Sequence, residues 1–202
     1  MADYDKRYDQ KGYYWGVSPS HVCFDILKTM PPTRHIRVMD VGCGEGRNAV
    51  FFALNGYDVT AFDLSHVGVE KTRELAKKAE VEIEVFESDI NTFRFTESFD
   101  IIFSTGALHY VKPDLRGEIL ANYKEFTTPG GLDCLHTFVA KPFVPKPPDD
   151  EPTLVPWTSG ELMGHYHDWL IRYTVEAIVD CDSGGQPHQH AFNRIIAEKP
   201  RE

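Results

Sequence analysis

The stretch Asp40-Val41-Gly42-Cys43-Gly44-Glu45-Gly46-Arg47-Asn48 sets three alternating glycines between an apolar run and a helix-like segment. Glycine reaches left-handed backbone conformations and carries no side chain, so such a turn lets a ligand approach bare backbone. The following helix adds unpaired N–H groups and the positive end of its dipole, which favour an anionic group. Asp63 lies 21 positions beyond Gly42, at the end of a second apolar run, a spacing suited to a carboxylate that holds ribose hydroxyls. Asp89 in Ser88-Asp89-Ile90-Asn91 and the row Ser104-Thr105-Gly106 stand directly after two further runs. Histidines form a second group. His165-Tyr166-His167-Asp168 and His188-Gln189-His190 each carry alternate imidazoles. On a strand, residues two apart face the same side, so the pairs can converge on an oxyanion or a cation. They can equally be ordinary polar hairpin positions. His109 follows the fourth run directly, and with His188 and His190 it makes up the set of catalytic candidates. Cys23, Cys43, Cys134 and Cys181 show no paired spacing, which suggests neither a zinc site nor a disulfide framework, and no metal ligand is assigned.

These residues need elements to position them. Ser18-Pro19-Ser20 opens a helix, with Pro19 in its first turn, that runs to Pro31-Pro32. Ile36 to Val41 reads as a strand, and Ala49, Phe52 and Ala53 share one face of the next helix, which Gly56 closes. Tyr57 to Phe62 is a second strand. Ser65 then caps a helix with the apolar face Val69, Thr72, Ala76 and Ala79. Val81, Ile83 and Val85 alternate with glutamates as in an outer strand, while Phe99 to Ser104 is apolar on both faces and so central. A helix from Asp114 to Phe126 precedes the turn Pro129-Gly130-Gly131 and a fifth strand, Leu132 to Val139. A proline-rich stretch, a short helix over Ser159 to Tyr166 and two strands, Trp169 to Cys181 and His188 to Glu198, complete the chain. The last two strands are joined at Asp182 to Pro187 by a hairpin turn. The pattern predicts an α/β three-layer sandwich with a mostly parallel seven-stranded sheet ending in an antiparallel hairpin. One domain over 1–202 is expected, with an N-terminal helical lid region at 1–35 and a proline-rich acceptor-side loop at 141–160.

At 202 residues the chain can bury a substantial core, and its net charge of −10 repels polyanions. No Lys/Arg run and no bilayer-length apolar run is present. The N-terminal residues Met1 to Arg7 lack the apolar core of a signal peptide. A small-molecule partner is therefore expected, without nucleic acid or membrane, for a cytoplasmic monomer or homodimer with reduced thiols.

A dinucleotide fingerprint would place glycine at position 47, where this chain has Arg47. The row Asp40-x-Gly42-x-Gly44-x-Gly46 instead resembles the first motif of class I S-adenosylmethionine-dependent methyltransferases. Gly42-Cys43-Gly44-Glu45-Gly46-Arg47-Asn48-Ala49 followed by Asn55-Gly56-Tyr57-Asp58-Val59 is similar to the tellurite-resistance (TehB-like) branch, small methyltransferases whose best-known substrates are tellurium and selenium oxyanions. The resemblance implies S-adenosylmethionine as cofactor, with Asp40, Gly42 to Gly44, Arg47 and Asn48 around its methionine end. It implies Asp63 on the ribose, Leu64 against adenine, Asp89 and Ile90 on the adenine edge, and carbonyls at Ser104 and Thr105 on the amino group. Tyr14 and Trp15, with Tyr13, are candidate lid residues. Phe143 and Trp157 are candidates for the acceptor wall. Each has a structural alternative: Asp63 as a helix-entry residue, Asp89 as a turn residue, Cys43 as a packing residue and the aromatics as surface packing. The chain lacks an Asn/Asp-Pro-Pro-Tyr motif after the fourth strand, which argues against a nucleic-acid amino group as acceptor. Two other readings stand beside this one, an NAD-dependent oxidoreductase on a related sheet and a non-catalytic S-adenosylmethionine-binding protein.

Overall fold

A computed structural model describes residues 4–146, 155–181 and 186–201. The tip of the expected hairpin at Asp182 to Gly185 and the centre of the proline-rich loop lie outside the described residues.

Seven strands form one sheet: β1 (Arg37–Val41), β2 (Asp58–Asp63), β3 (Glu84–Glu87), β4 (Phe99–Thr105), β5 (Thr127–Phe138), β6 (Leu170–Cys181) and β7 (His188–Glu198). Their order is β3-β2-β1-β4-β5-β7-β6, with β7 antiparallel to both its neighbours and the other pairs parallel. The chain winds one way from β1 to β3 and the other way from β4 onward. The sheet therefore has its switch point between β1 and β4, where open sheets bind ligands beyond the carboxyl ends of their strands.

The period-two alternation of each strand sorts side chains between two cores. Val38, Val59, Ala61, Ile101, Phe103 and Cys134 pack with Val22 and Ile26 of α2 (His21–Thr29), Ala49 and Phe52 of α3 (Arg47–Leu54) and Val69 of α4 (His66–Lys78). On the other face Met39, Phe62, Ile102, Leu135 and Ile195 pack with Ile119, Leu120 and Tyr123 of α5 (Arg116–Phe126) and Leu162 of α6 (Glu161–Gly164). The three layers are those the sequence predicts. A buried polar knot sits inside the second core, where Asp133 accepts from Thr127 Oγ1 and Tyr166 Oη, both at 2.6 Å. Burial raises the Asp133 carboxyl to about 6, with those hydroxyls pulling it back.

Several local expectations are corrected. Helix α2 starts at His21 with Ser20 as its cap residue, so Pro19 precedes the helix rather than occupying its first turn. Pro129-Gly130-Gly131 lies within β5, as an irregularity rather than a turn before it: Phe99 pairs with Thr127 and Ile101 with Leu132. Trp157 is fully buried and donates from Nε1 to the Leu108 carbonyl at 3.0 Å, so it belongs to the core and not to an acceptor wall, whereas Phe143 is exposed. His165 to Asp168 follow α6 outside any strand, so their histidines do not alternate across one. There the Asp168 carboxylate takes an ion pair from Lys124.

Candidate active site

The glycine turn lies at the carboxyl end of β1, and it is locked before any ligand is considered. The N–H groups of Gly42 and Cys43 both donate to the Phe62 carbonyl at 2.9 Å, and Gly46 N–H donates to the Cys43 carbonyl at 3.1 Å. Gly42, Gly44 and Gly46 have φ of 72°, 58° and 86°, the left-handed region. The expected role of these glycines is thereby sharpened. A Cβ on Gly42 would lie 2.3 Å from the Ala107 Cβ, and one on Gly44 would meet the Tyr8 hydroxyl at 3.0 Å. The missing side chains admit the protein's own residues. At Gly106, by contrast, φ is +77° and a Cβ would meet nothing within 4 Å, so bare backbone faces open space beside β4.

Asp63 closes β2 alongside this turn. Its Oδ2 accepts from Gly44 N–H and its Oδ1 from Ser65 N–H, each at 2.8 Å. Burial raises its pKa, and the amides of Ser65, Gly44 and Leu64 oppose that. The helix-entry role is therefore real, and it also fixes the carboxylate at the mouth of the turn. Leu64 beside it is 40% exposed. Asp40, one residue before the end of β1, is buried on the α3 side, and among the described residues the Ala49 amide faces its carboxyl from beyond ordinary hydrogen-bond reach. Desolvation lifts its pKa to about 7, the Asp63 charge adds to that, and Arg47 and the Ala49 amide pull it down.

The remaining cofactor candidates divide. Asn48 bridges elements, accepting at Oδ1 from Ser20 N–H (2.9 Å) and donating from Nδ2 to Thr105 Oγ1 (3.1 Å). Ser104 is buried and donates to the Val41 carbonyl at 3.0 Å, which ties β4 to β1. Cys43 is buried with Sγ near Thr72 Oγ1, and burial raises its thiol well above the usual range, so its side chain is packing. Asp89 Oδ1 accepts from the Asn91 backbone (2.8 Å) and side chain (3.0 Å), as its turn alternative has it, and the Ile90 side chain joins the core. Arg47 Nη1 donates to the Trp15 carbonyl at 3.0 Å, which ties the segment before α2 to the start of α3.

That strap extends past the aromatics named from sequence. Glu45 is buried, accepts from Trp15 N–H at 3.2 Å and pairs with Lys71 Nζ at 2.9 Å; Lys71 also donates to the Gln10 and Gly12 carbonyls. Tyr8 of α1 (Tyr4–Tyr8) is buried over Gly44 and Gly68, and Asp5 accepts from Ser65 Oγ at 2.5 Å and Val67 N–H at 3.1 Å. Trp15, 40% exposed, packs edge-on against Tyr14 with ring centroids 4.7 Å apart. Tyr8 and Glu45 were missed by the sequence reading. The one available signal for Glu45 was a carboxylate inside a glycine turn.

Imidazoles line the far side of the carboxyl rim. His109 is buried, its Nδ1 has no partner among the described residues, and its ring stacks on Phe138 at 4.6 Å. Desolvation, with His136 and His190 nearby, lowers its pKa to about 3. Phe138 stacks in turn on His190 at 4.4 Å, and His190 Nε2 lies 2.8 Å from His188 Nε2. The three catalytic candidates thus fall on one row of rings running from the turn after β4, across β5, to β7. The sequence assigns no metal ligand, yet the hairpin register also sets Cys181 opposite His188.

A seven-stranded sheet with this order, a locked three-glycine turn after β1 and a carboxylate closing β2 define the S-adenosylmethionine-dependent methyltransferase fold. A sequence model of the tellurite resistance protein TehB matches residues 3–188. The chain belongs to this TehB family of S-adenosylmethionine-dependent methyltransferases. It is 31% identical over 178 residues to the "Probable S-adenosyl-L-methionine-dependent methyltransferase TehB" of Haemophilus influenzae, covering 87% of this chain and 60% of that protein. It is 30% identical over 189 residues to "Hemagglutinin 1" of Eikenella corrodens, covering 92% of this chain and 61% of that protein. The crystal structure of TehB from Haemophilus influenzae superposes with a TM-score of 0.81 at 26% identity, over 97% of this chain and 65% of that one. The chain thus spans about three fifths of the length of these curated relatives. No helix among the described residues is long and apolar enough to cross a membrane.

Proposed function

We propose that the protein transfers the methyl group of S-adenosylmethionine to a small, soft acceptor such as a chalcogen oxyanion or a thiolate. One observation carries this reading: the Asp63 carboxylate closes β2 against the locked glycine turn, with the buried carboxyl of Asp40 beneath it. The residues fit the cofactor. Asp63 is held by two amides with its carboxylate at the mouth of the site, ready for ribose hydroxyls. The exposed Leu64 offers an apolar face to adenine, and Asp89 with the Ile90 amide would meet the adenine edge. Asp40, with carbonyls near Ser104 and Thr105, would face the cationic end, and the open backbone at Gly106 leaves room beside it. When bound, the cofactor supplies a sulfonium methyl for in-line displacement. The protein's part is to align the nucleophile in a dry pocket.

His109 supports a soft, already anionic acceptor. With a pKa of about 3 it is a neutral ring and too weak a base to deprotonate an ammonium or hydroxyl near neutral pH. As a neutral, buried ring stacked on Phe138 it would pack beside the acceptor without taking its proton, which suits an acceptor that arrives already anionic. The name of the matched family, tellurite resistance protein, supports the same class. The buried thiols of Cys23, Cys43 and Cys134 suit a reducing, cytoplasmic setting, and a monomer or homodimer built on one domain is the form proposed.

Calorimetry with S-adenosylmethionine and S-adenosylhomocysteine tests the cofactor step. Asp63→Ala should weaken binding by ~1–3 kcal/mol, and absence of binding to the unaltered chain at high micromolar concentration would sink the reading. Labelled cofactor with tellurite, selenite, thiols and small amines, read by mass spectrometry, tests the acceptor. Label on amines alone would overturn the soft-acceptor assignment. Asp40 gives a separate handle. With its pKa at about 7, a bound cation should drive out part of a proton at neutral pH. The binding enthalpy should then depend on the ionisation enthalpy of the buffer, and Asp40→Asn should remove that dependence. Equal enthalpies in phosphate and Tris would take Asp40 out of the site.

A further inference from the structure

The terminal hairpin gathers a second set of chemical groups. Cys181 of β6 pairs directly across from His188 of β7, and His190 lies two residues further along β7. Residues directly opposite share a face, and so do residues two apart on a strand, so all three project from one side of the sheet. Their donor atoms, the Cys181 Sγ and one nitrogen of each imidazole, lie within 4.8 Å of one another. His188 Nδ1 is 2.7 Å from the Gln186 carbonyl. That contact requires the proton on Nδ1 and leaves the Nε2 lone pair facing His190, 2.8 Å away. A backbone carbonyl fixing the tautomer of an imidazole is the outer support that metal-binding histidines use. A depression of about 500 Å³, lined by Asp180, Cys181, Pro187, His188 and Gln189, opens the cluster to solvent.

We propose that Cys181, His188 and His190 form a binding site for a borderline-soft divalent cation of the zinc class, with one coordination position left open. One thiolate and two imidazoles suit such an ion, whose bonds of roughly 2.0–2.3 Å place tetrahedral donors about 3.3–3.7 Å apart. The observed spacing reaches that with side-chain shifts of under about an ångström. On binding, the cation takes lone pairs from the two imidazoles and from the Cys181 thiolate, whose proton passes to solvent. The ion would clip β6 to β7 at the carboxyl rim. The chain's charge of −10 attracts cations to it. The site stands independently of the methyl-transfer reading, since its test needs neither cofactor nor turnover.

The test is a titration of the untagged, chelator-stripped full chain with Co²⁺ under reducing, anaerobic conditions. The expected result is one equivalent bound, with visible bands of tetrahedral cobalt and a near-ultraviolet thiolate-to-metal charge-transfer band, both abolished by one equivalent of Zn²⁺. Cys181→Ser should remove the charge-transfer band, and His188→Asn or His190→Asn should weaken binding at least tenfold. Far-ultraviolet circular dichroism would confirm that each variant is folded. The remaining thiols Cys23, Cys43 and Cys134 are buried, so a charge-transfer band that survives Cys181→Ser would overturn the proposal. So would a wild-type chain that takes up no Co²⁺, which would leave the two imidazoles as a proton-sharing pair.

Discussion

Replacing Gly42 with alanine should cost the protein about 2–5 kcal/mol of stability and abolish cofactor binding. Two effects add. A non-glycine residue in the left-handed region costs roughly 1–2 kcal/mol, and Gly42 sits at φ 72°. The new methyl would also lie 2.3 Å from the Ala107 Cβ, and neither atom has a flexible end that can swing away. Overpacking of that kind costs about 1–3 kcal/mol. Adding Ala107→Gly separates the two, because it empties the contested volume and leaves the backbone strain. Chemical denaturation should show the double variant recovering part of the loss. Full recovery would mean that the left-handed turn carries no strain. No loss in the single variant would mean that the turn is not built as described.

Acid should unfold the protein through its buried imidazoles. His109 is desolvated and faces His136 and His190, and His136 is desolvated and faces Arg194 and His190; both are lowered from 6.5 to about 3. The unfolded chain binds these protons first. Each ring's contribution is therefore complete above about pH 6.5 and is lost as pH falls toward 3, at about 1.4 kcal/mol per pH unit. Both rings act in the same direction, so acid destabilises the fold through each of them. Asp40 and Asp133, with raised pKa values of about 7 and about 6, act in the opposite sense, so the comparison must be between variants. In His109→Phe/His136→Phe the rings should keep the stacked contact with Phe138 and the tilted contact with Phe192, and the acid midpoint should fall to lower pH by circular dichroism. Coincident midpoints for the variant and the wild type would refute the assignment.

Most of the fold was legible because each strand announces itself by alternation or by a doubly apolar run. Phe99 to Ser104 reads as central from its composition alone, and it is the middle strand of seven. The glycine turn and Asp63 were legible for a similar reason, since their geometry depends on near neighbours in sequence. What escaped depends on distant pairing. Nothing around Tyr8 shows that it will lie over Gly44, and the spacing of Cys181 from His188 has meaning only once the hairpin register is known. Arg47 shows the limit of a local motif. Its position beside the turn suggests a ligand contact, and no local signal shows that its guanidinium also reaches the Trp15 carbonyl of a segment 32 residues earlier.

The strap formed by residues 4–16 has a kinetic consequence. It is tied to the turn by a handful of polar contacts, to Glu45, Arg47, Lys71 and Ser65, several of them at the surface. Segments held this way open far more readily than the sheet beneath them. In the proposed lid role, residence time at the turn would follow how often this strap lifts, and a substitution at Asp5 should change the rates of entry and escape together, as stopped-flow binding would show.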